Sequence, residues 1–312
     1  MSKNTDIVEI INNNFRDISS INISELSLAV ASPSRKAIEH RYFQMECVHD
    51  NENKKFFLKN ILEESEQLLQ FEKISKNYKS IELKDTANLF SVLNNEKFII
   101  LDYLEDYKTA NLRQLRDKNN ITKILNFKKN LSKLKRLDNS ENVFSNIEKY
   151  INYIDNKKLP KFHKFEFFTN SFYLIKEKLQ DIDKDLVPCH VDNSASNFMI
   201  NKNNDIKIID LDFCSNNDPL SDLGSFVAEV CLFKNEINPI IEEYYGVYKQ
   251  NLANRCFMYS ILDDLKWAIY NFIYSKISKR SHIEFMKYSN WRFLSCNQKL
   301  LSYDIGQIME NI

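Results

Sequence analysis

Residues 187–224 read VPCHVDNSASNFMINKNNDIKIIDLDFCSNNDPLSDLG. Two short apolar runs, Phe198-Met199-Ile200 and Ile206-Lys207-Ile208-Ile209, flank the polar turn Asn201-Lys202-Asn203-Asn204-Asp205. That alternation of apolar run, turn and apolar run predicts a β-hairpin. Asp192 and Asn197 fall on the loop before the hairpin, and Asp210 and Asp212 fall just after its second strand. The hairpin therefore gathers oxygen-bearing side chains that are distant along the chain. Such a set suits phosphoryl transfer to a hydroxyl. Magnesium takes hard oxygen ligands and keeps several waters, so one carboxylate with one amide oxygen is an ordinary protein share. A carboxylate off the metal can accept the proton of an attacking hydroxyl, while the rest of the protein positions groups and neutralises charge.

Composition narrows the alternatives. The chain has 312 residues, 43% hydrophobic and 28% charged, with 22 Phe and 15 Tyr, enough core material for two domains or one bilobal unit. Lys+Arg and Asp+Glu both number 43, and a formal charge of zero argues against a protein that lives on nucleic-acid backbone. The only glycines are Gly224, Gly246 and Gly306, so neither common glycine-rich phosphate loop exists and Walker-type NTPases and standard dinucleotide-binding folds are poor candidates. Six cysteines show no C-x-x-C pair and no zinc spacing, which predicts reduced, mostly buried thiols in a cytoplasmic protein. The N-terminus MSKNTDIVEI lacks a signal-peptide core, and no apolar run reaches the roughly 18–20 residues of a membrane span.

Outward from the hairpin, the chain divides in two. Residues 1–104 read as a small lobe. An apolar segment from Ile23 to Val30 is followed by KAIEHRYFQMEC. The polar turn His49-Asp50-Asn51-Glu52-Asn53 and the run Lys54–Lys59 continue an antiparallel meander. Residues 61–75 switch to helical spacing, and Phe98–Leu101 is a further strand. Residues 105–312 read as a larger lobe, almost wholly helical from 220 onward. Within it, 121–137 carries Lys128, Lys129, Lys133, Lys135 and Arg136 beside Ile124, Phe127, Leu131 and Leu134, which reads as a solvated helix face.

The His190-Val-Asp192-x4-Asn197 pattern, followed by Ile209-Asp210-Leu211-Asp212, resembles the signature shared by aminoglycoside phosphotransferases and choline/ethanolamine kinases. NDPLSDLGSFVAE (217–229), DDLKWAIYNFIYSKIS (263–278) and IEFMKYSNWRF (283–293) resemble the second group, in its bacterial form. The resemblance implies an α+β, protein-kinase-like bilobal fold: a small antiparallel-sheet lobe with one main helix, then a mostly helical lobe holding the catalytic loop and the acceptor pocket. It implies an ATP- and magnesium-dependent kinase of a small amino alcohol, choline first. Ethanolamine, thiamine or an aminoglycoside is the alternative acceptor, and a weakly active nucleotide-binding protein is the alternative class. It also implies a monomer or homodimer with no nucleic-acid partner. Residue by residue, Asp192 resembles the base, and Asn197 and Asp210 the metal ligands. Lys59 resembles the strand lysine that grips ATP phosphates, with Glu66, or Glu63, as its helical partner. Asp102 and Leu104 fall in the segment that resembles the adenine hinge. Asp212, Phe213, Glu229, Trp267 and Tyr270 match positions near the acceptor, the aromatic rings as a cage for a quaternary ammonium. His190 reads as a packing residue, Asp222 as a loop tether or helix cap, and Arg292 as a structural ion-pair partner. The nucleotide loop departs from the family, reading Val30-Ala31-Ser32-Pro33-Ser34-Arg35. Ser32 and Ser34 are its possible phosphate donors, and Pro33 has no amide to give.

Overall fold

The computed structural model describes residues 3–28 and 38–312, and the chain divides into two compact units. Among the described residues, the first unit comprises the chain up to Thr109 together with Phe198–Asp212. It contains helix α1 (Lys3–Asn14), strands β1 (Ile18–Leu26), β2 (His40–His49) and β3 (Glu52–Ile61), helix α2 (Phe71–Ser80), and strands β4 (Leu89–Leu93), β5 (Phe98–Asp102) and β6 (Tyr107–Thr109). The five longer strands form an antiparallel sheet in the order β1-β2-β3-β5-β4. Its core joins Ile7 and Ile11 of α1 to Ile18, Ile23, Phe43, Met45, Phe56, Leu58, Phe98 and Ile100 of the strands. Alternation of buried and half-buried positions along β2 aims one set of side chains at this core and leaves the other, including Tyr42 and Lys59 across the β2–β3 register, on the opposite face.

The second unit contains the remaining described residues. Its elements are α3 (Leu112–Leu115), α4 (Lys118–Leu131), α5 (Val143–Asn156), α6 (Phe165–Gln180), strand β7 (Val187–Cys189), and, after the hairpin, strand β10 (Ser215–Asn217), which pairs antiparallel with β7. There follow α7 (Pro219–Val230), α8 (Ile237–Tyr245), α9 (Gln250–Ile277), α10 (Phe285–Ser302) and α11 (Ile305–Glu310). The hairpin strands β8 (Phe198–Asn201) and β9 (Ile206–Ile208) pair as the sequence predicts, with Phe198 opposite Ile208, and β6 adds to the far side of β8. The hairpin falls within residues 105–312 of the sequence. It groups with the first unit, because β6 and the 84–86 turn, which accepts from Lys207 Nζ and Ile208 N–H, hold it there.

Helix α9 is buried nearly all round, the mark of a central helix. Helices α5, α7 and α10 pack on it. Gly224 marks the closest approach, since a Cβ there would stand 2.5 Å from Tyr259 Cβ. All six cysteines are free thiols, five of them buried. No helix among the described residues is long and apolar enough to cross a membrane.

The helix expected over 61–75 is not continuous. A single 3-10 turn spans Glu63–Ser65, and the Ser65 carbonyl accepts from both Leu68 and Leu69 N–H (2.9 and 2.8 Å). Gln70 is extended, and α2 begins only at Phe71. Its buried face, Phe71, Ile74, Ser75 and Tyr78, has the helical period that the earlier segment only imitates.

Candidate functional site

In the first unit, Lys59 lies near the end of β3, 2% exposed. Its Nζ donates to Asp210 Oδ1 and Asp212 Oδ1, both at 2.7 Å, and to the Tyr78 hydroxyl at 3.1 Å. Tyr78 in turn donates to Asp212 Oδ1 and accepts from Leu211 N–H, each at 3.1 Å. Asn77 Nδ2 donates to the Leu211 carbonyl at 3.0 Å, so two consecutive α2 residues fasten the chain that leaves the hairpin. Asp210 sits at φ 68°, a left-handed position that aspartate tolerates better than most residues. His40 Nε2 lies 3.3 Å from Asp212 Oδ2.

One ammonium thus faces two buried carboxylates. Burial opposes the charge on Lys59, but Asp210 and Asp212 outweigh it and hold its pKa well above the ordinary value. Burial also opposes ionisation of Asp210, yet the Lys59 ammonium holds that carboxyl well below the usual range. Asp212 is pushed well above it, by burial first and then by the charge on Asp210.

Glu66 is not the partner of Lys59. It caps the short 3-10 turn and pairs with Lys97, while Tyr78 and the two aspartates surround the lysine. Glu63 is exposed on the same turn. At the expected hinge, the Asp102 N–H donates to the Asn88 carbonyl and the Leu104 carbonyl accepts from Tyr107 N–H, so these groups are engaged within the protein. Ser32 and Ser34 lie outside the described residues.

In the second unit, the loop after β7 carries Asp192, fully buried, and Asn197 at the end of a 3-10 turn. Asn197 Nδ2 donates to the Asp192 carbonyl at 3.0 Å, which commits its nitrogen and leaves Oδ1 as the atom suited to a hard cation. Val191 has φ 51°, a costly conformation for a β-branched residue. Its N–H donates to Asp222 Oδ1 at 3.0 Å, and its carbonyl accepts from Ser225 Oγ at 3.3 Å and Lys266 Nζ at 3.2 Å. Asn193 donates to Asp222 Oδ1 at 2.8 Å and accepts from Lys128 Nζ at 2.6 Å, and Lys128 pairs with Asp222 at 2.8 Å. Burial opposes ionisation of Asp222, but Lys128 outweighs it and lowers the pKa. Asp222 is therefore the loop tether that the sequence suggests, and the N-cap of α7 is Asp218, which accepts from Leu220 N–H at 2.9 Å.

Lys128 is not on a solvated face. It is 3% exposed, the one member of the basic run turned inward. The signal was present: Ile124, Phe127 and Leu131 define the buried side of α4, and Lys128 lies four residues after the first and three before the last. Tyr78, Asn193 and His40 also escaped the sequence reading as site members.

The acceptor residues divide. Phe213, Trp267 and Tyr270 do meet, with Trp267–Tyr270 at 5.4 Å and Phe213 edge-on to both at 5.1 and 6.2 Å. They form no open cage, because Trp267 and Tyr270 are 1% and 0% exposed and only Phe213 is half-buried. The Trp267 face already carries a cation: Lys266 Nζ lies 4.3 Å from its ring centroid and 2.8 Å from Asp263 Oδ1. Glu229 is a loop support. Its Oε1 accepts from Ala195 N–H at 3.1 Å and its Oε2 from Arg292 at 3.0 Å, and Arg292 also donates to Asp264 at 2.8 Å.

Known proteins resemble this chain in sequence and in fold. Over 151 residues the chain is 26% identical to Protein LicA of Haemophilus influenzae, covering 46% of this chain and 42% of that protein, so it spans about half the length of the curated relatives it matches. The crystal structure of choline kinase LicA from Streptococcus pneumoniae superposes with a TM-score of 0.75 at 19% identity, over 97% of this chain and all of that one. A structure of LicA in complex with AMP gives 0.70 at 18% identity, over 96% and 100%. These likenesses establish the kinase-like α+β fold expected from the motif. The family model described as Choline/ethanolamine kinase matches residues 35–258, most of the chain, and the protein belongs to that family.

Proposed function

We propose that the protein transfers the γ-phosphoryl group of ATP to the hydroxyl of a small amino alcohol, choline foremost. The observation that carries this reading is the Lys59–Asp210–Asp212 cluster at the end of the hairpin: a buried strand lysine within 2.7 Å of two aspartate carboxyl groups. In this reading Lys59 grips the outer phosphates. Asn197 Oδ1 and Asp210 are the groups that would hold magnesium, which would neutralise charge developing on the transferred phosphoryl group. Each donor is of a kind magnesium takes, a carboxylate in one case and an amide oxygen whose nitrogen is already committed in the other. Asp192 orients the acceptor hydroxyl and takes its proton, while Val191, Asn193 and Ala195 on either side of it are fixed by Asp222, Lys128 and Glu229. Phe213, the accessible ring of the aromatic trio, offers its face to the methylated ammonium.

Incubation with magnesium-ATP and a panel of choline, ethanolamine, thiamine and an aminoglycoside, read by mass spectrometry, tests both halves. Phosphorylated choline as the main product is expected. A different main product overturns the acceptor assignment, and no product from any alcohol overturns the phosphotransferase reading.

A further inference from the structure

Two side chains of β2 face the Lys59 cluster from the opposite strand. Tyr42 stands across from Lys59 in the β2–β3 register and stacks on Phe57, with ring centroids 5.7 Å apart and planes 28° apart. It is 6% exposed, and its hydroxyl has no hydrogen-bond partner among the described residues. His40, two residues earlier on the same face, lies 5.9 Å from the Tyr42 ring, and its Nδ1 likewise has no hydrogen-bond partner among the described residues. Native structures rarely leave buried polar atoms unanswered, and such an atom beside a cluster of charge marks a place for a ligand. Burial raises the Tyr42 pKa well above its ordinary value, with Lys59 and Asp210 in electrostatic reach, so the hydroxyl keeps its proton and can donate.

Sequence supplies an independent line. The first glycine is Gly224, so the 30–35 segment, where the family places its nucleotide loop, has none, and Pro33 lacks an amide N–H. A loop of that kind binds phosphate through backbone N–H groups. Here one of those donors is missing, at Pro33, and β2 presents side-chain donors as well.

We propose that the Tyr42 hydroxyl, with the His40 imidazole beside it, donates to a phosphate oxygen of the nucleotide held by Lys59. The contact rests on the phosphotransferase reading and makes Tyr42 a phosphate-positioning residue borne on a strand. Phe57 packs on the face of the Tyr42 ring.

The test is calorimetric titration of the full chain with magnesium-ATP and, separately, with adenosine. Tyr42→Phe keeps the ring and its stacking. It is expected to weaken ATP binding about tenfold, the worth of a hydrogen bond to a charged acceptor, and to leave adenosine binding unchanged. The melting temperature of the nucleotide-free variant should be equal to or above that of the parent, since no hydrogen bond within the protein is lost. Equal ATP affinity in parent and variant overturns the contact. An equal loss for ATP and adenosine overturns it too, because the effect would then lie in the base or the ring. A parent chain that binds neither ligand removes the phosphotransferase reading itself, an outcome distinct from both.

Discussion

Buried charge is balanced differently in the two units. In the first, Lys59 faces Asp210 and Asp212, one cation against two carboxylates. In the second, Lys128 and Asp222 balance one to one, and Arg292, Lys266 and Lys299 balance Glu229, Asp263 and Asp264. A buried ion pair that is matched and hydrogen-bonded is self-sufficient, whereas an unmatched buried charge is costly until something relieves it. The balanced network is scaffolding for the loop around Asp192. The unbalanced cluster needs a proton or a metal cation, which is why Asp212 holds its proton so far above the usual carboxylate range.

The sharpest way to test this contrast is through turnover. Asp192→Asn is expected to lower kcat by about 10²–10⁴-fold, the ordinary yield of a positioned base, with ATP affinity unchanged in calorimetry. Surviving turnover would place the base elsewhere. Stability gives the next largest effect. Asp222→Asn leaves Lys128 buried without its counter-charge and should cost about 3–5 kcal/mol in urea unfolding, whereas Asp212→Asn relieves an excess and should cost little or stabilise. Equal losses would erase the distinction between scaffold and site. A third measurement is the effect of magnesium. At about a hundredfold over its Kd the ion should stabilise the parent by about 2.7 kcal/mol, and Asp210→Asn should abolish that gain in a thermal-shift assay. A gain that persisted in the variant would place the ion away from the cluster.

The smallest effect is a pH slope of opposite sign in the two clusters. The Asp212 pKa is raised on folding, so its contribution favours the fold below its ordinary value of 3.8 and is lost as pH rises through the folded value. Asp222 is lowered, so its contribution is present above 3.8 and is lost as pH falls through the folded value. The advantage of Asp212→Asn over the parent should therefore grow from pH 4 toward neutrality, whereas the deficit of Asp222→Asn should stay near its full size over that interval and shrink only as pH falls below about 3.8. Parallel slopes would contradict both assignments.

Much of this was readable before the structure. The hairpin around Asn201–Asp205 and the β2–β3 turn announce themselves through local period and turn residues, and local signals survive folding. The tether role of Asp222 and the ion pairs of Arg292 also followed from the motif. What escaped depends on which face of a helix turns inward. Residues 61–75 have helical spacing but two buried leucines in succession, Leu68 and Leu69, which a tight turn accommodates, so Glu66 never reaches Lys59. Lys128 was read by its charged neighbours rather than by the apolar residues that share its face. Trp267 and Tyr270 share a helix face as expected, yet α9 is surrounded on all sides, so the spacing could not say whether that face opens on a pocket.

Val191 has a consequence for how the protein comes into being. A valine does not hold a left-handed backbone unaided, and its three fastenings come from Asp222, Ser225 and Lys266. The last of these is not translated until 75 residues after the valine. A ribosome-bound or truncated chain ending before α9 would spell the whole motif and lack one of the three fastenings that shape it. Competence should switch on late in synthesis, once the central helix has docked.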